Sequence, residues 1–429
     1  MDYLDYFDIV NGKLLFSGED ISELSEKYGT PLIIYSRSII ERNVRELMNA
    51  FDKENFSLHY AMKANYNPAI LSILREKGVG IDAANLNEVL LALKTGFSKD
   101  KIIASPNNLP GNELKKIKET GVTINFDDIS QFNMVAADPP ETISFRINPG
   151  MGKGEFEGTT TGGKGSKFGM PPEAALKAYE TAIESGVHRL GIHMMTGSNV
   201  LDPEFFREST RTFFSIASEI SHKLGITFEF VDIGGGFGVP YRDNEESLDL
   251  GRTSNYIKEN MKNYRDLFTE NTKLIMEPGR YIVANSAVLI SRVTCKKDYD
   301  RNMIGTDTGM NILIRPALYG AIHPIIPVNK FFNKKEERGD VVGPICENTD
   351  KIAKDISIQK LEPGDLIAIL NAGAYVTSMS SNYNLQPKAM EILLDNREEY
   401  IIRKRDELQD MLNNFIIPEH LKAIGMDRL

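Results

Sequence analysis

The chain has 429 residues, 41% hydrophobic and 26% charged, the composition of an ordinary soluble globular protein with room for two domains. Fifty basic against sixty acidic side chains leave a formal charge of −10, which argues against a nucleic-acid partner or an anionic membrane surface. No apolar run approaches the ~18 residues of a bilayer span. Met1-Asp2-Tyr3-Leu4-Asp5-Tyr6 has neither the basic region nor the apolar core of a secretory signal. Two cysteines, Cys295 and Cys346, and six scattered histidines cannot build a disulfide framework or a structural zinc site, so the expectation is a reducing cytoplasm and no metal. The first ~30 residues show no strand–helix alternation, and Lys13-Leu14-Leu15-Phe16 reads as a strand for a separate β-rich domain. Beyond them, eight short apolar or β-branched runs succeed one another: Ser57–Ala64, Gly80–Ala84, Lys101–Ser105, Val122–Phe126, Thr142–Asn148, Arg189–Met195, Phe228–Ile233 and Lys273–Glu277. Amphipathic stretches separate most of them, at Pro68–Lys77, Asn87–Lys94, Glu113–Glu119, Pro172–Ser185, Phe205–Leu224 and Thr253–Phe268.

Eight β-then-α units of this length predict a closed (β/α)8 TIM barrel, with a doubly wound open sheet as the alternative. After Arg280 the alternation stops. Val288–Thr294, Met303–Thr306, Asp365–Leu370 and Glu399–Arg403 read as strands joined by turns. The predicted organisation is therefore a barrel over residues 32–283 and a β-rich barrel or sandwich domain built from 1–31 and 284–429. Gly152–Gly165, with six glycines and three threonines among fourteen residues, reads as a mobile loop above the barrel mouth.

In such a barrel the chemistry lies at the C-terminal ends of the strands. Lys63 closes the first run and offers an amine suited to a Schiff base, although a lone lysine there is more often a surface residue. Asp82 ends the second run, followed by Glu88, and Arg146 lies in the fifth. The sixth ends in His193-Met194-Met195-Thr196-Gly197-Ser198. The seventh runs into Gly234-Gly235-Gly236, where backbone N–H groups can approach a phosphate because no Cβ intervenes. The eighth ends in Glu277-Pro278-Gly279-Arg280, with a carboxylate for a pyridinium proton and a guanidinium for a carboxylate. The bland reading of that turn is a structural ion pair between Glu277 and Arg280. Farther on, Arg315-Pro316-Ala317-Leu318-Tyr319 adds a second guanidinium and a phenol. Cys346-Glu347 sets a thiol beside a carboxylate in a Gly/Pro-bounded loop, and Gly373-Ala374-Tyr375 leads into Met379-Ser380-Ser381-Asn382-Tyr383-Asn384.

Taken in this order, Lys63, Gly234-Gly235-Gly236, Glu277-Pro278-Gly279-Arg280, Arg315-Pro316-Ala317-Leu318-Tyr319, Cys346-Glu347 and Gly373-Ala374-Tyr375 resemble the fold-type III pyridoxal-phosphate decarboxylases. The resemblance runs from about Ser25 to His420 and is closest to the branch that acts on diaminopimelate. It implies an alanine-racemase-like barrel plus β-domain, a Schiff base between Lys63 and pyridoxal 5'-phosphate, and a homodimer with shared active sites. Cofactor contacts are then expected from Lys63, Asp82, Arg146, Met195, Ser198, Gly235, Gly236, Glu277, Gly279, Arg280 and Tyr375. Substrate contacts are expected from Arg280, Arg315, Tyr319, Glu347 and Tyr375. Cys346 is expected to return the proton to the product, and the resemblance implies that Cys346 and Glu347 serve the partner subunit's site.

Two arginines and a glutamate suit a small-molecule substrate with an amino acid at each end, whereas ornithine decarboxylases of the family pair the cysteine with an aspartate. One departure stands out. The family usually carries His-x-His-x-Gly-Ser on strand six, the second histidine stacking on the cofactor ring, and Met195 occupies that place here. A thioether packs on an aromatic face but donates no hydrogen bond, and His193 reads as a satisfied barrel histidine. A decarboxylase of another amino acid (ornithine, lysine or a carrier-bound acid) and a non-catalytic pyridoxal-phosphate-binding relative remain as alternatives. Alanine racemase shares the fold type but needs no Cys-Glu loop.

Overall fold

The computed structural model describes residues 6–51 and 55–422. The first five and last seven residues, which the sequence assigns to the β-rich domain, lie outside the described residues. The chain divides into two compact units, one of residues 39–284 and one of the residues up to Ser38 together with those from Asn285 onward.

The first unit is a closed barrel of eight parallel strands. They are β1 (Phe56–Ala61), β2 (Gly80–Ala83), β3 (Ile102–Ala104), β4 (Thr123–Phe126), β5 (Thr142–Ile147), β6 (Arg189–Met194), β7 (Phe230–Asp232) and β8 (Lys273–Met276). Each strand pairs in parallel with its sequence neighbours, and β8 pairs with β1 to close the ring. The predicted runs hold, but most stop one residue early, so the residues expected at strand ends lie just past them. Lys63 sits in a 3-10 turn, Met62–Ala64, beyond β1.

The helices form where amphipathic stripes and caps coincide. Asn67 caps Pro68–Glu76 by accepting the Ala69 N–H, and Asn85 caps Leu86–Lys94 by accepting that of Glu88. Pro203–Leu224, the longest, opens on an Asp202 cap with Pro203 at its first position and ends on Gly225 in the left-handed region, φ 64°. No helix among the described residues is long and apolar enough to cross a membrane. Ile103, Phe230 and Ile275 form a buried cluster of barrel-strand side chains. A Cβ on Gly191 of β6 would meet the Phe230 ring at 2.1 Å, so glycine is what lets that ring fit.

The second unit carries a nine-stranded sheet, with a separate three-stranded one. The path of the large sheet runs Lys351–Gln359, Lys335–Val342, Asn302–Thr306, Ala287–Asp298, Leu32–Ser36, Met390–Asp395, Glu398–Arg403. Leu366–Ile369 joins Ala287–Asp298, and Ile325–Pro327 joins Leu366–Ile369. The predicted boundary at residue 32 is corrected here. Leu32-Ile33-Ile34-Tyr35-Ser36 pairs with Ala287–Asp298 on one side and Met390–Asp395 on the other, and all five residues are buried. A short strand rich in isoleucine and buried on both faces belongs at a sheet's centre. Lys13–Phe16 is a strand as expected, but it pairs with Asp8–Val10 and Glu19–Asp20 in the small sheet.

Gly152–Gly165 is tied down. Lys153–Gly154 pairs with Gly197–Ser198, and Asn148 exchanges bonds with Gly163, accepting its N–H at 2.9 Å and donating to its carbonyl at 3.1 Å. Its glycines permit close backbone approach: a Cβ on Gly162 would lie 2.4 Å from the Met151 carbonyl oxygen.

His59 of β1 is buried, with Nε2 3.1 Å from Ser57 Oγ, and burial lowers its pKa to about 4. Because the folded value is depressed, stability is present above the unfolded value of about 6.5 and is lost as pH falls toward 4. The shift corresponds to about 3 kcal/mol. We expect the stability gap between wild type and His59→Gln, measured by urea unfolding, to shrink by about that amount from pH 7.5 to pH 4. A gap independent of pH refutes the assignment.

Candidate active site

The register of the barrel sets Arg146, His193 and Asp232 side by side across β5, β6 and β7, and Ala61 beside Asp82 across β1 and β2. Lys63 Nζ lies 3.1 Å from Asp82 Oδ2; its side chain is 45% exposed while that of Asp82 is 3% exposed. The amine is thus reachable and its counter-charge is sheltered. Glu88, beyond Asp82, accepts the Ala84 N–H at 2.7 Å and caps the strand-to-helix connection.

Glu277 is buried and bonded to His193, with Nε2 and Oε2 3.0 Å apart. Polar atoms of His193, Asp232 and Glu277 all lie within 4.8 Å of one another. Burial pushes the Asp232 carboxyl well up, and the neighbouring Glu277 charge adds to the effect. Burial presses Glu277 the same way, but the charge and hydrogen bond of His193, with Lys63 and Asp232, hold it well below the ordinary carboxylate range. For Asp82, burial and then Glu277 raise the carboxyl against the pull of Lys63. Two neighbouring carboxyls are therefore shifted in opposite directions. The trio also has the spacing of a metal site, but two of its members are wired into the glycine loop.

Asp232 Oδ1 accepts the Gly234 N–H at 2.8 Å, and the Glu277 N–H donates to the Gly234 carbonyl at 2.8 Å. A Cβ on Gly235 would lie 2.3 Å from the Glu277 carbonyl oxygen, so no other residue fits there without movement. The Gly235 N–H donates to Met195 Sδ at 3.1 Å. Arg146, buried, reaches the Met195 carbonyl at 3.3 Å and Asp127 Oδ1 at 3.7 Å. Arg280 donates from Nη1 to Tyr241 Oη at 2.8 Å and from Nη2 to Ser198 Oγ at 3.3 Å. Gly279 packs against the turn that carries Lys63, where a Cβ would stand 3.0 Å from Ala64 Cβ. Among the described residues no ion pair joins Glu277 to Arg280: the turn sends its two charges to different partners.

The barrel unit thus gathers Lys63, Asp82, Arg146, Met195, Ser198, Gly235, Gly236, Glu277, Gly279 and Arg280 around its C-terminal end. The other predicted residues belong to the second unit. Arg315 is buried in a short helix, Arg315–Tyr319, and donates to His323 Nε2 at 2.7 Å; His323 Nδ1 donates in turn to the Leu370 carbonyl at 2.8 Å. That pair of bonds fixes a neutral tautomer of His323. Tyr319 and Tyr375 are half-buried, and Tyr375 adopts φ 58°. Cys346 and Glu347 lie in an exposed turn, bonded to Asn384 and Tyr383 rather than to Arg315 or Tyr375. Sequence reading missed Tyr241, His323 and the role of Asp232, and it took His193 for packing alone. Only the Asp232–Gly234 link had a sequence signal, an aspartate two residues before a glycine triplet.

Residues 37–284 match the family described as "Pyridoxal-dependent decarboxylase, pyridoxal binding domain". The chain belongs to the pyridoxal-dependent decarboxylase family. It is 41% identical over 413 residues to a diaminopimelate decarboxylase of Thermoplasma acidophilum, covering 96% of this chain and 99% of that one. The structure of the diaminopimelate decarboxylase of M. jannaschii in complex with L-lysine superposes with TM-score 0.88 at 32% identity, covering 97% and 99% of the two chains. A lysine/ornithine decarboxylase of Vibrio vulnificus, complexed with putrescine, is more distant, at 25% identity and TM-score 0.75 over 88% and 98%.

The barrel end suits the family's cofactor. Glu277 Oε1 is buried without a hydrogen-bond partner, which leaves a carboxylate oxygen for a ring N–H.

Because His193 is the chief group that holds the Glu277 pKa down, His193→Leu leaves burial opposed only by Lys63 and Asp232 and raises it. The acid limb of the kcat/KM profile should move to higher pH, and the cofactor's visible absorbance should titrate with it. His193→Gln, which restores an N–H donor, should recover part of the shift. Superimposable profiles for wild type and His193→Leu refute the role.

Proposed function

We infer that the chain catalyses the pyridoxal-phosphate-dependent decarboxylation of meso-2,6-diaminopimelate to L-lysine and carbon dioxide, the last step of lysine biosynthesis. The observation that carries this reading is the near-full-length likeness to diaminopimelate decarboxylases, joined to a barrel end whose charges suit a pyridoxal ring.

Bound pyridoxal phosphate supplies the electron sink that accepts the electron pair left on the α-carbon when carbon dioxide departs. The protein's own groups do the rest. Lys63 would hold the cofactor through its amine, and Asp82 orients that amine. Glu277 keeps a proton on the ring nitrogen, which it can do because its own proton affinity is depressed. The N–H groups of Gly235 and Gly236, with Ser198, Gly279 and Arg280, would take the phosphate; Met195 would pack on the ring, and Arg146 braces Met195 through its carbonyl. Tyr375 would contact cofactor and substrate.

At the distal end, Arg315, with Arg280 and Tyr319, receives a carboxylate and Glu347 an ammonium, which together describe an amino-acid terminus. In the reacting half the bond from the α-carbon to its carboxylate breaks, and Cys346 returns one proton to that carbon. Purified cofactor-loaded protein should release carbon dioxide and L-lysine in equal amounts from meso-diaminopimelate, with kcat/KM at least about 10²-fold above that for L-ornithine or L-lysine. Preference for ornithine or lysine overturns the substrate, and failure on every amino acid overturns the activity.

The working unit is a homodimer in which Cys346 and Glu347 of each subunit complete the partner's site. Both side chains are exposed, and the two cysteines of the chain are unpaired, in keeping with a reducing cytoplasm. Inactive Lys63→Ala and Cys346→Ala proteins, mixed and allowed to exchange subunits, should recover about a quarter of wild-type activity, from one intact site per heterodimer. With exchange shown independently, absence of recovery refutes the shared site.

A further inference from the structure

The Met379–Asn384 segment has no part in the proposed chemistry, yet it touches both residues of the Cys346–Glu347 turn. Asn384 Oδ1 accepts the Cys346 N–H at 2.6 Å, and the Tyr383 hydroxyl donates to Glu347 Oε2 at 3.3 Å. We propose that Asn384 and Tyr383 are positioning residues, Asn384 setting the Cys346 backbone and Tyr383 the Glu347 carboxylate. The proposal rests on Cys346 as proton donor and Glu347 as the acceptor of the distal ammonium.

The backbone carries the first argument. Asn384 lies at φ 55° and Leu385 at φ 57°, two successive non-glycine residues in the left-handed region. Asparagine tolerates that region; leucine does not, and Leu385 is 51% exposed, so no core packing compensates it. Such a conformation persists only where its surroundings impose it. They do so here. Asn382 Nδ2 donates to the Gln386 carbonyl at 3.0 Å and to Asp406 Oδ2 at 2.9 Å, and the Lys388 N–H reaches the same Asp406 oxygen at 3.1 Å. On the upstream side the Ser381 N–H donates to the Asn311 carbonyl at 2.8 Å. The strained pair is held from both ends, and what it presents to the Cys346 turn is the side-chain amide oxygen of Asn384.

The turn itself supplies the second argument. Buried Asp350 accepts the Ile345 N–H on Oδ2 at 2.7 Å and the Met310 N–H on Oδ1 at 2.6 Å. Gly343 lets this carboxylate in, since a Cβ there would stand 2.4 Å from Asp350 Oδ2. Two consecutive N–H groups, those of Ile345 and Cys346, thus have side-chain acceptors from two different segments, Asp350 within the turn's own loop and Asn384 from outside it. Asp350 secures the fold of the turn. Asn384 is the contact that fixes where the thiol-bearing residue stands. A proton donor misplaced by about 1 Å can cost up to roughly 10²-fold in rate, so such a contact is worth its strained backbone.

Asn384→Gly separates the bond from the strain, because glycine accepts the left-handed backbone and lacks only the acceptor. The test uses the full-length cofactor-loaded enzyme carrying Cys295→Ser, so that Cys346 is the single thiol. Iodoacetamide alkylation of Cys346 is followed by mass spectrometry beside Tm, kcat and KM for meso-diaminopimelate. Asn384→Gly should alkylate about fivefold faster, the change one net hydrogen bond sets. It should lose roughly tenfold or more in kcat at unchanged Tm. Asn384→Asp, which keeps an acceptor, should restore both. Tyr383→Phe should raise KM with kcat nearly unchanged. Wild-type alkylation and kcat/KM in Asn384→Gly overturn the proposal, as does faster alkylation with unaltered kcat. Cys346→Ala in the same assay keeps the two readings apart: full activity there refutes the proton-donor role, while the alkylation rates still report whether Asn384 holds the turn.

Discussion

Everything at the barrel end depends on burying several charges in one small volume. Asp82, Asp232 and Glu277 are buried, and two like charges about 4 Å apart repel by roughly 4 kcal/mol even at an effective dielectric of 20. They cannot all be ionised without unfolding pressure. The conflict is resolved by giving each carboxyl a different partner. Lys63 pairs with Asp82, His193 bonds Glu277 and holds its proton affinity down, and Asp232, whose carboxyl burial pushes up, accepts from the glycine loop. The result is a graded set of proton affinities rather than a uniform acidic patch. Graded affinities of this kind cluster at functional sites.

Backbone proximity does what side chains cannot. The loop after β7 lies against the end of β8 because glycine lets Gly235 touch the Glu277 carbonyl, so the two loops pack directly on each other. The segment Gly152–Gly165 is stitched to the end of β6 in the same way. Both glycine clusters serve close packing. In the second unit the equivalent rigidity comes from buried acceptors, Asp350 under the Cys346 turn and His323 behind Arg315.

The sequence made the barrel legible because each strand is a short apolar run with a capped amphipathic helix on most of its flanks, so local signals and the global fold agree. It misled at Leu32–Ser36. That run is followed by the helix Arg37–Asn49 and so imitates one more β-then-α unit; only its pairing partners, more than two hundred residues away, assign it elsewhere. Lys335–Val342 and Lys351–Gln359 escaped notice because their exposed faces carry lysine, glutamate and arginine, which blur an alternating pattern. At the site, residues whose chemistry is their own, such as Lys63, Glu277 and Arg280, could be picked out. Residues that matter through a partner could not. His193 takes its meaning from Glu277, 84 positions away, and Arg280 finds Tyr241 39 positions back. No spacing rule links them, because the link is the curvature of a closed barrel.

Met195 shows how such partnerships change what a position must supply. At the position where the resemblance leads one to expect a second histidine, this chain carries Met195, and the charge on Glu277 is met by His193. What the position must provide is an apolar, polarisable surface and a provisional partner for the Gly235 N–H. A thioether does both. It is a weak acceptor, sufficient to keep a half-buried N–H satisfied, whereas a bond from that N–H to a phosphate oxygen is charge-assisted and about twice as strong as a neutral one. If the Gly235 N–H takes a phosphate, as proposed, the exchange of sulfur for phosphate oxygen is downhill.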